Sequence, residues 1–220
     1  MLVTRILPWL AAVTLCCAGP ACFANLLTNG TFTQGAQGFG SDYTFSTTLG
    51  GPGAEGRYYA GLNPHDVSPL APSFSDHTSG NGLMLLMNGS RNPNTTVWLE
   101  QVPVTPGQGY HFVGFARSWG GASTDPSPAV LRIEINGQSI GSDTALPAAV
   151  SAWALLDRGW NAGVAATATI RIVDMNTTVD GNDFALDDLS FETPEPGGFA
   201  LTALAMAAGG MSRGRRRARK

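Results

Sequence analysis

The sequence predicts an all-β domain, a two-sheet antiparallel sandwich of the jelly-roll kind, and three observations predict it. From Asn25 to Glu192, short runs of β-branched and aromatic residues are separated by Gly, Asn and Pro at intervals of roughly 8 to 12 residues, the rhythm of strands and turns. The composition supplies turn formers, 28 Gly and 14 Pro, in place of helix formers, and only 13% of the residues are charged. No stretch holds the apolar period of an amphipathic helix: the apolar region from Ala145 to Leu156 is broken by Pro147. A chain of 220 residues is sized for one such domain plus targeting segments.

Met1 to Ala24 is read as a secretory signal. Arg5 precedes the apolar run Ile6 to Cys17, and small residues follow at Ala21, Cys22 and Ala24, so cleavage is expected after Ala24. A retained anchor needs about 18 to 20 uninterrupted apolar residues, and Pro8, Gly19 and Pro20 interrupt them. A lipid on Cys22 is the other alternative, for which Gly19-Pro20-Ala21 is a poor lead-in. All three cysteines (Cys16, Cys17, Cys22) fall in this segment, so the mature domain is expected to carry neither disulfide nor thiol ligand.

Within the domain, 25–193, the first strand is expected over Asn25 to Phe32. Leu83 to Met87 is a continuous apolar run, which suits a strand buried on both faces. Val97 to Val104 alternates, with Val97, Leu99, Gln101 and Pro103 on one side and Trp98, Glu100, Val102 and Val104 on the other. Tyr110 to Trp119, Val130 to Ile135 and Thr167 to Val173 behave similarly, and Ile133-Glu134-Ile135 followed by Asn136-Gly137 is a hairpin signal. The closing strand falls on Phe184 to Phe191, for about ten strands in all.

The remaining segment, 194–220, opens with Pro194-Glu195-Pro196, continues as an apolar stretch over 197–211, and ends in a basic run over 213–220. An apolar run followed by positive charge is a stop-transfer arrangement. About 15 residues are short for a bilayer core that asks for roughly 20, so the insertion is expected to be transient. The triplet, the short span and Arg213, Arg215, Arg216 and Arg217 at the chain's end resemble the PEP-CTERM sorting signals of Gram-negative bacteria. That resemblance implies export through the secretion translocon, transient insertion in the inner membrane, recognition by an exosortase, and release to the cell surface or its exopolysaccharide layer. An ordinary C-terminal transmembrane helix with a basic flank is the alternative.

The two ends of the domain carry a second resemblance. Asn25-Leu26-Leu27-Thr28-Asn29-Gly30-Thr31-Phe32 and Asn182-Asp183-Phe184-Ala185-Leu186-Asp187-Asp188-Leu189-Ser190-Phe191 look like the termini of galactose-binding-like jelly rolls, the architecture of many carbohydrate-binding modules. The resemblance implies a fold more firmly than a ligand, because one fold hosts many functions. In similar jelly rolls an acidic residue of the closing strand helps hold a structural calcium with a Glu of the first strand. Here Asn29, Thr33, Asp187 and Asp188 are the matching donors, and Thr33 stands where that Glu would be. The aspartates alternatively tie down a neighbouring loop, and in a regular strand only one of two consecutive side chains faces each side.

Charge excludes one class of partner. Between the two ends lie fifteen Asp and Glu against six Arg and no Lys, so a phosphate backbone is repelled and nucleic acid is not expected as a partner. For a sugar, whose apolar face stacks on an aromatic ring, the candidates are Tyr58, Tyr59, Trp119 and Trp160; Trp98, Phe112 and Trp153 are assigned to the core. Asp42, His65, Asp66, Asp76 and His77 form a carboxylate and imidazole set that keeps a secreted hydrolase in view, although no metal motif or nucleophile elbow accompanies them. The sequence therefore points to an exported, non-enzymatic surface protein that binds extracellular polysaccharide or another glycan. A structural matrix protein without a small ligand is the alternative.

Overall fold

The computed structural model describes residues 24–119, 127–148 and 152–193, so nearly all of the signal segment and the whole of the sorting segment, including Pro194, Glu195, Pro196 and the terminal arginines, lie outside the described residues. Among the described residues there are eleven strands and one short helix: β1 (Thr44–Phe45), β2 (Arg57–Gly61), α1 (Pro64–Val67), β3 (Met84–Asn88), β4 (Thr95–Pro103), β5 (Gly109–Ser118), β6 (Val130–Ile135), β7 (Gln138–Ser139), β8 (Thr144–Ala145), β9 (Ala154–Asn161), β10 (Thr167–Asp174) and β11 (Phe184–Glu192). They form two sheets. One runs β1-β2-β3-β11-β5-β9; the other runs β4-β10-β6-β7, with β8 also paired to β6. Every pairing is antiparallel except β1 with β2.

The period of two dictates which side chains meet between the sheets. Tyr110, Phe112 and Ala116 of β5, with Phe184, Leu186 and Phe191 of β11, face Trp98 and Val102 of β4, Ile170 and Ile172 of β10, and Leu131, Ile133 and Ile135 of β6. Each such large apolar side chain contributes roughly 1.5–3 kcal/mol by leaving water, which makes this layer the dominant stabilising term. The alternation expected for β4 is present, with one addition: a bulge opposite Ile172 and Val173 lets Val97 bury together with Trp98. At the β6–β7 turn, Asn136 (φ 53°) and Gly137 (φ 77°) take the left-handed pair that a two-residue hairpin needs.

β3 is buried on both faces, as its unbroken apolar run requires. Leu85 and Met87 join the inter-sheet core, whereas Met84 and Leu86 look outward into a second cluster with Leu49, Val67, Ala71, Trp119 and Ala185. The long excursion between β1 and β3 supplies that cover. Within it, Asn63 caps α1 by accepting the His65 N–H at 3.1 Å, Pro64 opens the helix, and the Leu49 N–H reaches the Val67 carbonyl at 2.9 Å.

One expected strand is absent. Asn25 to Phe32 lies beside β11 but turns, with positive φ at Asn29 (56°) and Phe32 (52°). The Asn25 side chain takes over the role of a ladder: its amide donates to the Leu189 carbonyl at 2.9 Å and its oxygen accepts the Phe191 N–H at 2.9 Å. Gly30 then presses so close that a Cβ there would stand 2.0 Å from the Leu189 oxygen.

Candidate functional site

On the outer face of the six-stranded sheet, two adjoining hollows share Leu62, Asn63 and Asp66 and together form a groove. The first, about 320 Å³, is floored by Tyr59 and Gly61 and flanked by Thr47; the second, about 510 Å³, is walled by Ser73, Phe74, Ser75, Gly80 and Asn81. β2 places Tyr59 on this face because Tyr58 and Tyr59 point to opposite sides of the strand. Gly61, two residues on, then leaves the ring room: a Cβ there would meet Tyr59 Cδ1 at 3.0 Å and Leu86 Cδ1 at 3.3 Å. α1 presents Asp66 to solvent, and Leu62 stays 52% exposed at the junction of the two hollows. Partly buried aromatic rings beside amides, hydroxyls and one carboxylate are suited to an amphipathic ligand that stacks on one face and hydrogen-bonds at its rim.

The second hollow owes its wall to a clasp. Asp76 folds the loop on itself, accepting the Ser79 N–H (2.8 Å) and hydroxyl (2.7 Å) and the Gly82 N–H (2.9 Å). Burial raises its pKa, but these hydrogen bonds outweigh burial and hold the carboxyl below its ordinary value. The next residue fastens the loop to β11. The His77 N–H donates to Asp187 Oδ2 at 2.8 Å, its Nδ1 meets Asp188 Oδ2 at 2.8 Å, and the Thr78 hydroxyl donates to the same Asp188 oxygen. The His77 ring lies flat on Phe115, centroids 3.6 Å apart, with Trp153 edge-on at 5.7 Å.

The two aspartates act together because β11 is bulged. Its pairing with β5 jumps between Asp187 and Ser190, and Asp188 sits at φ 49°. The expectation that only one of them faces each side is thereby corrected: both carboxylates reach the same loop. Asp187 is only 2% exposed, and burial pushes its carboxyl up to about 6 despite the His77 and Asp188 N–H donors, with the charges of Asp188 and Asp76 adding to the rise.

The other expected site residues are scattered. Trp119 is corrected outright as an exposed sugar platform: it is 2% exposed, and its indole N–H donates to the Phe184 carbonyl at 2.6 Å inside the second cluster. Tyr58 packs between Phe39 and Phe45 at the edge of the inter-sheet core, and Trp160 leans on Tyr110 and Phe191 at another part of that core, so neither lines the groove. Asn29 stitches its own loop to Gly35, Gln37 and Gln34, and no hydrogen bond joins it or Thr33 to Asp187 or Asp188. No group of three His, Cys, Asp or Glu side chains suited to a metal stands among the described residues, and three of the four carboxylate oxygens of Asp187 and Asp188 accept protein donors. The carboxylate and imidazole set also separates: Asp42 accepts the Thr96 N–H on β4, His65 bonds the Ala71 carbonyl, and Asp76 and His77 are spent on the clasp.

Sequence reasoning did not single out Leu62, Asn63, Phe74 or Asn81. Asn63-Pro64 is a readable helix cap; the others carry no signal until the excursion folds back over β2 and β3.

No family model and no curated protein matches the sequence. Solved structures do. An arabinose-bound α-L-arabinofuranosidase aligns with a TM-score of 0.50 at 13% identity, over 78% of this chain and 26% of that one. A Family 16 Carbohydrate Binding Module-2 aligns at 0.45 and 12% identity, over 76% of this chain and 99% of that one. The tandem N-terminal CBM22 domains of Paenibacillus barcinonensis Xyn10C align at 0.46 and 13% identity, over 82% and 49%. At 13% identity the likeness to the first of these is one of fold alone, the β-sandwich described above.

Proposed function

We propose that the domain is a glycan-binding module whose site is the groove beside Tyr59, and that the chain is exported and delivered to the cell surface through its C-terminal segment. The observation that carries the binding reading is the partly buried Tyr59 ring beside Gly61, lining the same groove as Asn63 and Asp66. A pyranose stacked on such a ring keeps its hydroxyls within reach of those polar groups while its apolar face leaves water. A glycan array followed by titration calorimetry tests it. Tyr59→Ala should weaken binding at least about tenfold, near 1.4 kcal/mol, while Tyr59→Phe keeps most of it. A blank array, or full affinity in a folded Tyr59→Ala variant, overturns the reading in favour of a matrix protein without a small ligand.

The export reading is supported by the order of motifs in the sequence. Intact mass of the protein recovered from its native host reports both cleavages; a full-length chain with Met1 and Lys220 in place contradicts the export reading. A calcium ion on Asp187 and Asp188 is a separate proposal and requires displacement of the His77 and Thr78 donors. A melting temperature lowered by a chelator supports it, and an unchanged one removes it.

A further inference from the structure

Resting on the glycan reading above, we infer that the groove selects uncharged, hydroxyl-rich glycans and rejects those bearing uronate, sulfate or phosphate groups. Three observations carry this. Among the described residues that line the two hollows, Asp66 holds the only formal charge, and the polar side chains around it are the amides of Asn63 and Asn81 and the hydroxyls of Thr47, Tyr59, Ser73 and Ser75. Amides and hydroxyls both donate and accept, which matches sugar hydroxyls, whereas an anion asks for donors and cations alone.

Four of the six arginines between residues 25 and 193 are paired away from the groove. Arg91 pairs with Glu55 at 2.7 Å, Arg132 with Asp143 at 2.8 Å and Arg171 with Glu134 at 3.2 Å, and Arg158 donates to the Ser142 carbonyl at 2.6 Å. The other two stand nearer but line neither hollow: Arg117 stacks its guanidinium 3.9 Å over the Phe74 ring, and Arg57 opens β2 at the end away from Gly61, in register with Asn88.

The field of the domain adds to the local effect. Fifteen acidic against six basic side chains between residues 25 and 193 repel an approaching polyanion at low salt, while an uncharged chain feels no such force. An anionic substituent set beside Asp66 meets a like charge at short range, with no cation among the described residues that line the groove, a penalty on the scale of about tenfold or more in affinity.

The experiment is a titration of the purified full-length protein at 50 and 500 mM salt with xylan, mannan and mixed-linkage glucan as neutral probes, and polygalacturonate, alginate and heparin as anionic ones. The expected result is binding of at least one neutral probe with an affinity that salt hardly changes, and anionic probes at least about tenfold weaker at low salt. Asp66→Lys, at an exposed helix position where the fold does not depend on it, should narrow or reverse that preference. Equal or tighter binding of an anionic probe by the unaltered protein, or a preference untouched by Asp66→Lys, overturns the selectivity while leaving the glycan reading in place. Silence toward every probe sinks the glycan reading itself, and the selectivity falls with it.

Discussion

Asp187→Asn probes the clasp that holds the groove wall. In the fold this carboxyl titrates at about 6, against 3.8 for an ordinary aspartate, mainly because burial disfavours its charged form. Between those values the folded protein holds a proton that the unfolded chain releases, so stability is full below pH 3.8 and is lost as pH rises through about 6. At 1.36 kcal/mol per pH unit the whole effect is roughly 3 kcal/mol, most of which falls between pH 4.0 and 7.5. Asparagine cannot ionise, but it presents one N–H face to donors that now meet oxygen, the His77 and Asp188 N–H groups. The variant therefore loses a roughly pH-independent increment as well, and the informative quantity is the change in slope. Urea unfolding of both proteins across this range should show the parent losing roughly 2 kcal/mol more than the variant on going from pH 4.0 to 7.5. Parallel pH profiles would refute the assignment of a raised Asp187.

Three further outcomes follow from the packing. Asp174, fully buried at the end of β10, accepts the Tyr43 hydroxyl (2.7 Å), the Asn182 amide (2.8 Å) and the Asn176 (3.0 Å) and Ser90 (3.2 Å) N–H groups, so Asp174→Ala should destabilise by roughly 3–5 kcal/mol in equilibrium unfolding, through donors left dry. Trp119→Ala should cost a similar roughly 3–5 kcal/mol by opening a cavity in the second cluster, and Trp119→Phe about 1–3 kcal/mol by stranding the Phe184 carbonyl, so that both show in the melting curve before they show in binding. Gly61→Ala should shift the Tyr59 ring and weaken glycan binding several-fold with little loss of stability, read by calorimetry beside a melting curve.

Much of the sandwich was legible because its strands carry their own period. β5, β6 and β10 fall within a residue of the runs that foretold them, and the doubly buried β3 was written as Leu83 to Met87. What stayed hidden depends on partners far away in sequence. Asn25 to Phe32 has strand residues but is held by the Asn25 side chain against a bulge 164 residues later, a partnership no local pattern records. The same bulge turned Asp187 and Asp188 from alternating neighbours into a paired clasp. Trp119 was a sugar-stacking candidate by residue type, and only the fold-back of residues around Leu49 and Val67 shows that it is covered. The groove was half readable: Tyr59 and Asp66 were named from residue type, but their meeting across the turn at Leu62 needed the tertiary structure.

The central claim is that the outer face around Tyr59 is where a ligand sits, and amide chemical-shift mapping tests it most directly. Titration with a bound neutral oligosaccharide should move the resonances of residues 59–66 and 73–81 and leave the β4 and β6 amides still. Shifts centred instead on Val104, Tyr110 and Trp160, or spread evenly over both sheets, would contradict the account.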